Sequence, residues 1–435
     1  MPRSTHTQMG GTRSHTTSRR LLQERGGAGH RTRAPKAHAS TPPAHPATPR
    51  GGHGGEATSV FLFPPADGAA RATFVVAMAA TGWSDLPSEL LSEIAGGLVE
   101  LGDIARFRSV CSSWRAAAGG AAAAPPPQPP WLLLPSSPSR LFFCPREDRL
   151  YPDLRMPALT AEAHRRRRRR LYASPHGWTL AIDPTDLAAS LLHPFTGAVC
   201  ALPPLPAFFA ETDDLAWDWS PHGVMASCGE GLLFYASDPP AAAWAPIPAM
   251  ADCNASSINY SGGEFFVFEE DVCRTTIVDA LTLAIAAVIP APAVELPSEA
   301  RIAVAGDELF LLVKSKWMYL FGDDIDFSKV FRVDHRSVDS AWQELTGIGG
   351  RALFVDSLHG FAMETAGFEN LEGNTIYSVT TKEVNDRRST TVKYSVSVFS
   401  LEHRSSKKLA CRLNKLEMAL RGETPSWIIP SLNEG

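Results

Sequence analysis

Three acidic clusters, Asp213-Asp214, Glu269-Glu270-Asp271 and Asp323-Asp324-Asp326, carry the oxygen donors that a hard cation or a general acid–base pair would use. Carboxylates in loops are ordinarily just solvated, and that is the expectation for all three. Histidines at 176, 193, 222, 335, 359 and 403 show no ligand spacing, and His176, ahead of Gly177-Trp178, fits a structural turn. Gly347-Ile348-Gly349-Gly350 is an incomplete phosphate loop and reads as a turn between strands. The patterns HExxH, GxSxG and GxxxxGK[ST] are absent, so zincin, hydrolase-elbow and P-loop chemistry lack their defining groups. No catalytic residue, cofactor or metal site is therefore expected.

Six arginines at 165–170, preceded by His164, form the most conspicuous charge run. Adjacent guanidinium groups repel, so the run is expected to be an exposed loop. A solvated loop is the leading reading, ahead of a nuclear-import or acidic-partner patch. Nucleic-acid contact comes last, because no interleaved aromatics accompany the run. A net charge of −5 argues the same way. Seven scattered cysteines without a CxxC form no disulfide framework and point to a reducing compartment, nucleus or cytosol. The sequons at Asn254 and Asn259 then read as chance matches. No apolar run is long enough to predict a membrane-spanning helix.

The elements that would position any site fall into four blocks. Residues 1–77 hold ten Lys or Arg against Glu24, Glu56 and Asp67, with much Ser, Thr, Gly, Pro and His. Such a segment cannot bury enough apolar surface to offset its ordering entropy and is expected to be a disordered basic leader. An organelle transit peptide and a dispensable extension ahead of Met78 are both open, the second preferred. Residues 82–118 read as two helices. Leu86, Leu90, Leu91, Ile94 and Leu98 mark one face of the first, with Ser84 or Asp85 as cap and Pro87 in the first turn. Ile104, Phe107, Val110, Cys111 and Trp114 line the second, with Asp103 as its cap. Two short helices bury little alone, and a partner surface would complete their core.

Residues 119–130, an Ala run and then prolines, read as a semi-stiff linker. From Trp131 to 435 the texture is short β-prone runs, among them 178–182, 232–235, 264–268, 308–313, 329–333, 352–355, 375–379 and 391–399. Some 305 residues of this kind suit a barrel, a large sandwich or a propeller of six or seven blades, with no clear blade repeat. A last helix-like stretch lies at 409–420. The fold class expected is α+β multidomain: a short N-terminal helical module, then a mainly-β domain of propeller size.

Trp83-Ser84-Asp85-Leu86-Pro87, Leu90-Leu91 and Ile94, followed by Val110-Cys111-Ser112-Ser113-Trp114-Arg115, resemble an F-box. Ser174-Pro175-His176-Gly177-Trp178, His193-Pro194-Phe195-Thr196-Gly197, the stretch from Gly347 to Val355, and Pro425-Ser426-Trp427 resemble the β-propeller of plant F-box proteins of the KIB type. The chain departs from that pattern at His193, where the family usually has Asn, and at Gly96-Gly97. The resemblance implies a non-catalytic receptor that docks on a Skp-type adaptor, and through it a cullin, with the β domain binding a target protein. Leu86, Pro87, Leu90, Leu91, Ile94, Val110 and Trp114 would be the adaptor-binding residues. The alternative is a propeller that binds a small molecule or acts on one, with the helices incidental. Trp217, Trp219 and Trp244 could mark a binding face or belong to the core.

Overall fold

The computed structural model describes residues 83–431, apart from 84–85, 99–100, 119–126, 135–140, 146–148, 152–168, 211–214, 230, 294–298, 315–326, 338–340, 369, 387–388 and 410–423. The leader, Arg165 to Arg168, the acidic clusters at 213–214 and 323–326, Cys411 and nearly all of the 409–420 stretch lie outside these residues.

Three helices come first: α1 (Ser88–Gly96), α2 (Leu101–Ser109) and α3 (Ser112–Ala117). Pro87 sits just outside α1, where its fixed φ of −54° leads into the helix and its carbonyl accepts the Leu91 N–H. The single second helix expected from sequence is instead two. Cys111 is fully extended, which breaks the run after Ser109 and lets Trp114 fold back so that its ring lies 4.4 Å from that of Phe107. Asp103 is not a cap. It lies in the first turn of α2 and pairs with Arg106 at 2.7 Å, both side chains half exposed, a pairing worth little.

Six sheets follow. The first holds β1 (Trp131–Leu134), β2 (Leu141–Cys144) and β3 (Arg149–Tyr151). The second runs β4 (Arg170–Ala173), β5 (Thr179–Ile182), β6 (Ala189–Leu192) and β7 (Val199–Leu202); the third runs β8 (Ala216–Ser220), β9 (Gly223–Ser227), β10 (Leu233–Ala236) and β11 (Ala245–Pro246). The fourth is β12 (Ser257–Ser261), β13 (Glu264–Glu269), β14 (Arg274–Asp279) and β15 (Ile285–Ile289). The fifth is β16 (Ala300–Ala305), β17 (Glu308–Lys314), β18 (Phe327–Asp334) and β19 (Gln343–Leu345). The sixth comprises β20 (Arg351–Val355), β21 (Gly360–Glu364), β22 (Thr375–Asp386), β23 (Ser389–Ser400) and β24 (Ser405–Lys408). Finally β25 (Ser426–Ile428) returns to pair antiparallel with β1, so the last described strand completes the first sheet.

The inner strands read as nearly unbroken apolar runs because they are covered on both faces, whereas outer strands such as β7 and β15 are largely exposed. In β13, side-chain alternation sends Phe265 and Val267 into the core shared with the third sheet, and Phe266 and Phe268 into the core shared with the fifth. Leu132 and Leu134 likewise face the sixth sheet, while Trp131 and Leu133 face the second. Six such cores, one between each pair of neighbouring sheets, close the ring. The β domain is a six-bladed propeller. Its fifth and sixth blades touch edge to edge through the parallel pair Val304↔Phe361. Gly360 permits that approach, since a Cβ there would sit 1.9 Å from the carbonyl oxygen of Ile302.

Two expectations change in detail. The described end of the linker is not free: Gln128, Pro129 and Pro130 are buried as the chain enters β1. Arg169 and Arg170 are not an exposed loop. Both are half buried, Arg170 opens β4, and Arg169 bonds Ser190. Among the described residues no helix is long and apolar enough to cross a membrane.

Candidate functional site

The helical module divides its apolar residues between two sides. Leu91, Ala95, Phe107 and Ala118 form a small sealed core, with Leu86, Leu98, Trp114 and Ala117 packed against it. Leu90 and Ile94, one turn apart on α1, point elsewhere and remain 42% and 44% exposed, and Val110 at the α2–α3 break is 54% exposed. Pro87 and Trp83 are exposed as well, and the Trp83 carbonyl accepts the indole N–H of Trp114 at 3.0 Å.

Of the seven residues expected to bind an adaptor, Pro87, Leu90, Ile94 and Val110 are thus presented outward. Leu86 and Trp114 are half buried at the edge of the inner core. Leu91 is 1% exposed and cannot touch another chain in this arrangement, which corrects its assignment. The physical reason is that the module is too small to leave its middle empty: Leu91 fills the space between α1 and α3. Covering Leu90 and Ile94 would contribute roughly 1 kcal/mol each from their exposed halves.

The second candidate region is the propeller axis, where the leading strand of each sheet meets its neighbours. Asp218 on β8 is 1% exposed. Its carboxylate accepts the hydroxyl of Ser174 at 2.7 Å, the N–H of Trp219 at 2.9 Å and the N–H of Tyr260 at 2.7 Å, joining the second, third and fourth blades. The Asn259 side-chain Oδ1 accepts the Gly360 N–H, and His359 Nε2 meets the Trp217 backbone carbonyl at 2.7 Å, tying in the sixth. Asp356 accepts the Trp427 N–H at 2.6 Å, and burial pushes its carboxyl above the usual range. These bonds tie four blades together at the axis, while the Nδ2 of Asn259 and the Nδ1 of His359 are buried there without a hydrogen-bond partner among the described residues.

Other sequence candidates resolve similarly. Glu269 pairs with Arg274 across the hairpin of the fourth blade, and Glu270 with Arg301 of the fifth, at 2.6 Å each, so these acids are structural. Among the described residues no group of acids, histidines and cysteines could hold a metal. Trp217 is core, and Trp244 packs on Tyr235 while donating to the Pro203 carbonyl. Asn259 is buried, so its sequon cannot accept a glycan. His193 accepts the Thr196 N–H through Nδ1 at 3.2 Å, a side-chain turn bond like those that Asp183 and Asp279 make in matching turns. Of the axial residues, Asp218 and Asp356 belong to no motif in the sequence. The available signal was one charged or amide residue inside an otherwise apolar strand, as in Trp217-Asp218-Trp219.

A family model described as the KIB1-4 β-propeller matches residues 141–400, and one described as F-box-like matches residues 83–120. An F-box protein of Arabidopsis thaliana is 55% identical over 38 residues, which is 9% of this chain and 11% of that protein. The match therefore spans about a tenth of that relative's length. The WD40 domain of Pan2 from Neurospora crassa is 10% identical, covering 58% of this chain and 68% of that one, at a TM-score of 0.30. The WD40 domain of SCAP from fission yeast is also 10% identical, covering 62% and 75%, at 0.30. Likenesses this loose carry no inference.

Proposed function

We propose that this chain, which belongs to the KIB1-4 β-propeller family and carries an F-box-like module ahead of its propeller, is the substrate-recognition subunit of a cullin-based ubiquitin ligase. The observation that carries the reading is the pair Leu90 and Ile94, left exposed on a helix whose opposite side is already sealed. An apolar helix face of this kind is completed by a groove on a partner, here a Skp-type adaptor, which in turn binds the cullin. The propeller presents a target protein, and the transfer chemistry is done by other subunits. The receptor's contribution is proximity: it raises the effective concentration of a target lysine near the charged conjugating enzyme. The Asp218 carboxylate at the axis already accepts from Ser174, Trp219 and Tyr260, which weighs against its serving a small-molecule ligand. Such a receptor would act in the nucleus or cytosol.

The test is affinity purification of the tagged chain from plant cells with the proteasome blocked. Adaptor and cullin are expected together in the eluate. Recovery of a tight metabolite with neither subunit would contradict the proposal and favour a small-molecule propeller.

A further inference from the structure

The helical module and the propeller share one hydrophobic core. Leu101, at the start of α2, is 0% exposed, and the residues around it belong to the first two blades: Trp131, Phe142, Tyr151 and Phe195 among them. Gly102, the next residue, backs onto the Tyr151 ring so closely that a Cβ would meet its Cε1 at 3.2 Å. Tyr151 is itself fixed, stacked on Trp131 at 4.7 Å with the planes 7° apart and covered by the Arg149 guanidinium at 4.9 Å. The stretch 127–130 reinforces the junction, because Gln128, Pro129 and Pro130 are buried where the chain enters β1.

The geometry points to Leu101 and Tyr151 as positioning residues that lock the helical module to the first blade, so that a target on the propeller is held at one orientation to the ligase. This rests on the receptor reading above. Its physical basis is separate: a leucine buried in another domain's core, next to a stacked aromatic pair, removes the freedom that a Pro-rich connection alone would leave. A locked module restricts which lysines come within reach of the conjugating enzyme, whereas a swinging one would expose many in turn.

Spin labels on non-natural residues at Ser113 and Leu281 of the full chain report the junction by pulsed EPR. The native chain is expected to give one narrow distance. Tyr151→Ala should lose that narrow peak while adaptor capture persists and the propeller, though melting at a lower temperature for want of a core ring, still unfolds in one cooperative transition. Should Tyr151→Ala fail to fold, Gly102→Gln provides the second variant, a wedge pushed against the ring from the helix side. In a reconstituted ligase with the chain itself as acceptor, the same variants should widen a restricted set of modified lysines. A broad distance in the native chain, or a narrow one kept in both variants with the lysine set unchanged, would overturn the lock. A narrow native distance without adaptor capture would leave the lock standing and overturn the receptor reading instead.

Discussion

The helical module and the propeller handle apolar residues in opposite ways. In the propeller, every inner strand is covered on both faces, and alternate residues of a single strand such as β13 serve two different cores. In the helices, one side is sealed around Leu91 and Phe107 while Leu90, Ile94 and Val110 stay in solvent. Closure of a ring satisfies its own surface. A three-helix module of this size has too little interior to do so, and the remainder is available for another chain.

The sharpest way to break that contrast is to open the ring. Trp427 is fully buried on β25 and donates its indole N–H to the Val355 carbonyl. Trp427→Ala should cost about 3–5 kcal/mol in denaturant unfolding of the propeller. A loss below about 1 kcal/mol would mean that β25 does not hold the ring closed. Next in size is a split between neighbours: Leu91→Ala should destabilise the helical module by about 2–4 kcal/mol, as for any sealed leucine. Leu90→Ala should change stability by less than about 0.5 kcal/mol and act on adaptor affinity instead. Equal effects of the two on stability would erase the inside–outside distinction. The smallest effect is chemical. Burial pushes the Cys228 and Cys253 thiols up to about 12, whereas Cys200 on β7 is exposed. Mapped alkylation of the native protein should therefore modify Cys200 while Cys228 and Cys253 stay protected until unfolding.

The comparison also explains what could be read from sequence. Six of the eight β-prone runs lie within strands and the other two miss only by their first residue, Trp178 and Leu232, because two-sided burial writes itself as continuous apolar residues. The helix spacing located α1, but a 3.6-residue period cannot separate Leu90 from Leu91 when both sides of the helix are apolar. That distinction depends on where α3 packs, a tertiary fact. Blade number was equally hidden. The matching turns 183–188 and 279–284 share an aspartate that caps a threonine and a left-handed leucine, Leu187 and Leu283 at φ 58°. Their likeness lies in backbone conformation more than in letters. The burial of Leu101 leaves no mark in local spacing, because its partners, Trp131 and Tyr151, lie some 30 to 50 residues on.

The measurement that bears most directly on the central claim is a titration of the purified full chain with a Skp-type adaptor, alongside the double variant Leu90→Asp, Ile94→Asp. The native chain should bind, and the variant should lose at least about 100-fold in affinity, since each substitution forfeits about 1 kcal/mol of apolar burial and also forces a carboxylate into the apolar contact. Propeller melting should be the same in both. Equal adaptor affinity for native chain and double variant would contradict the account.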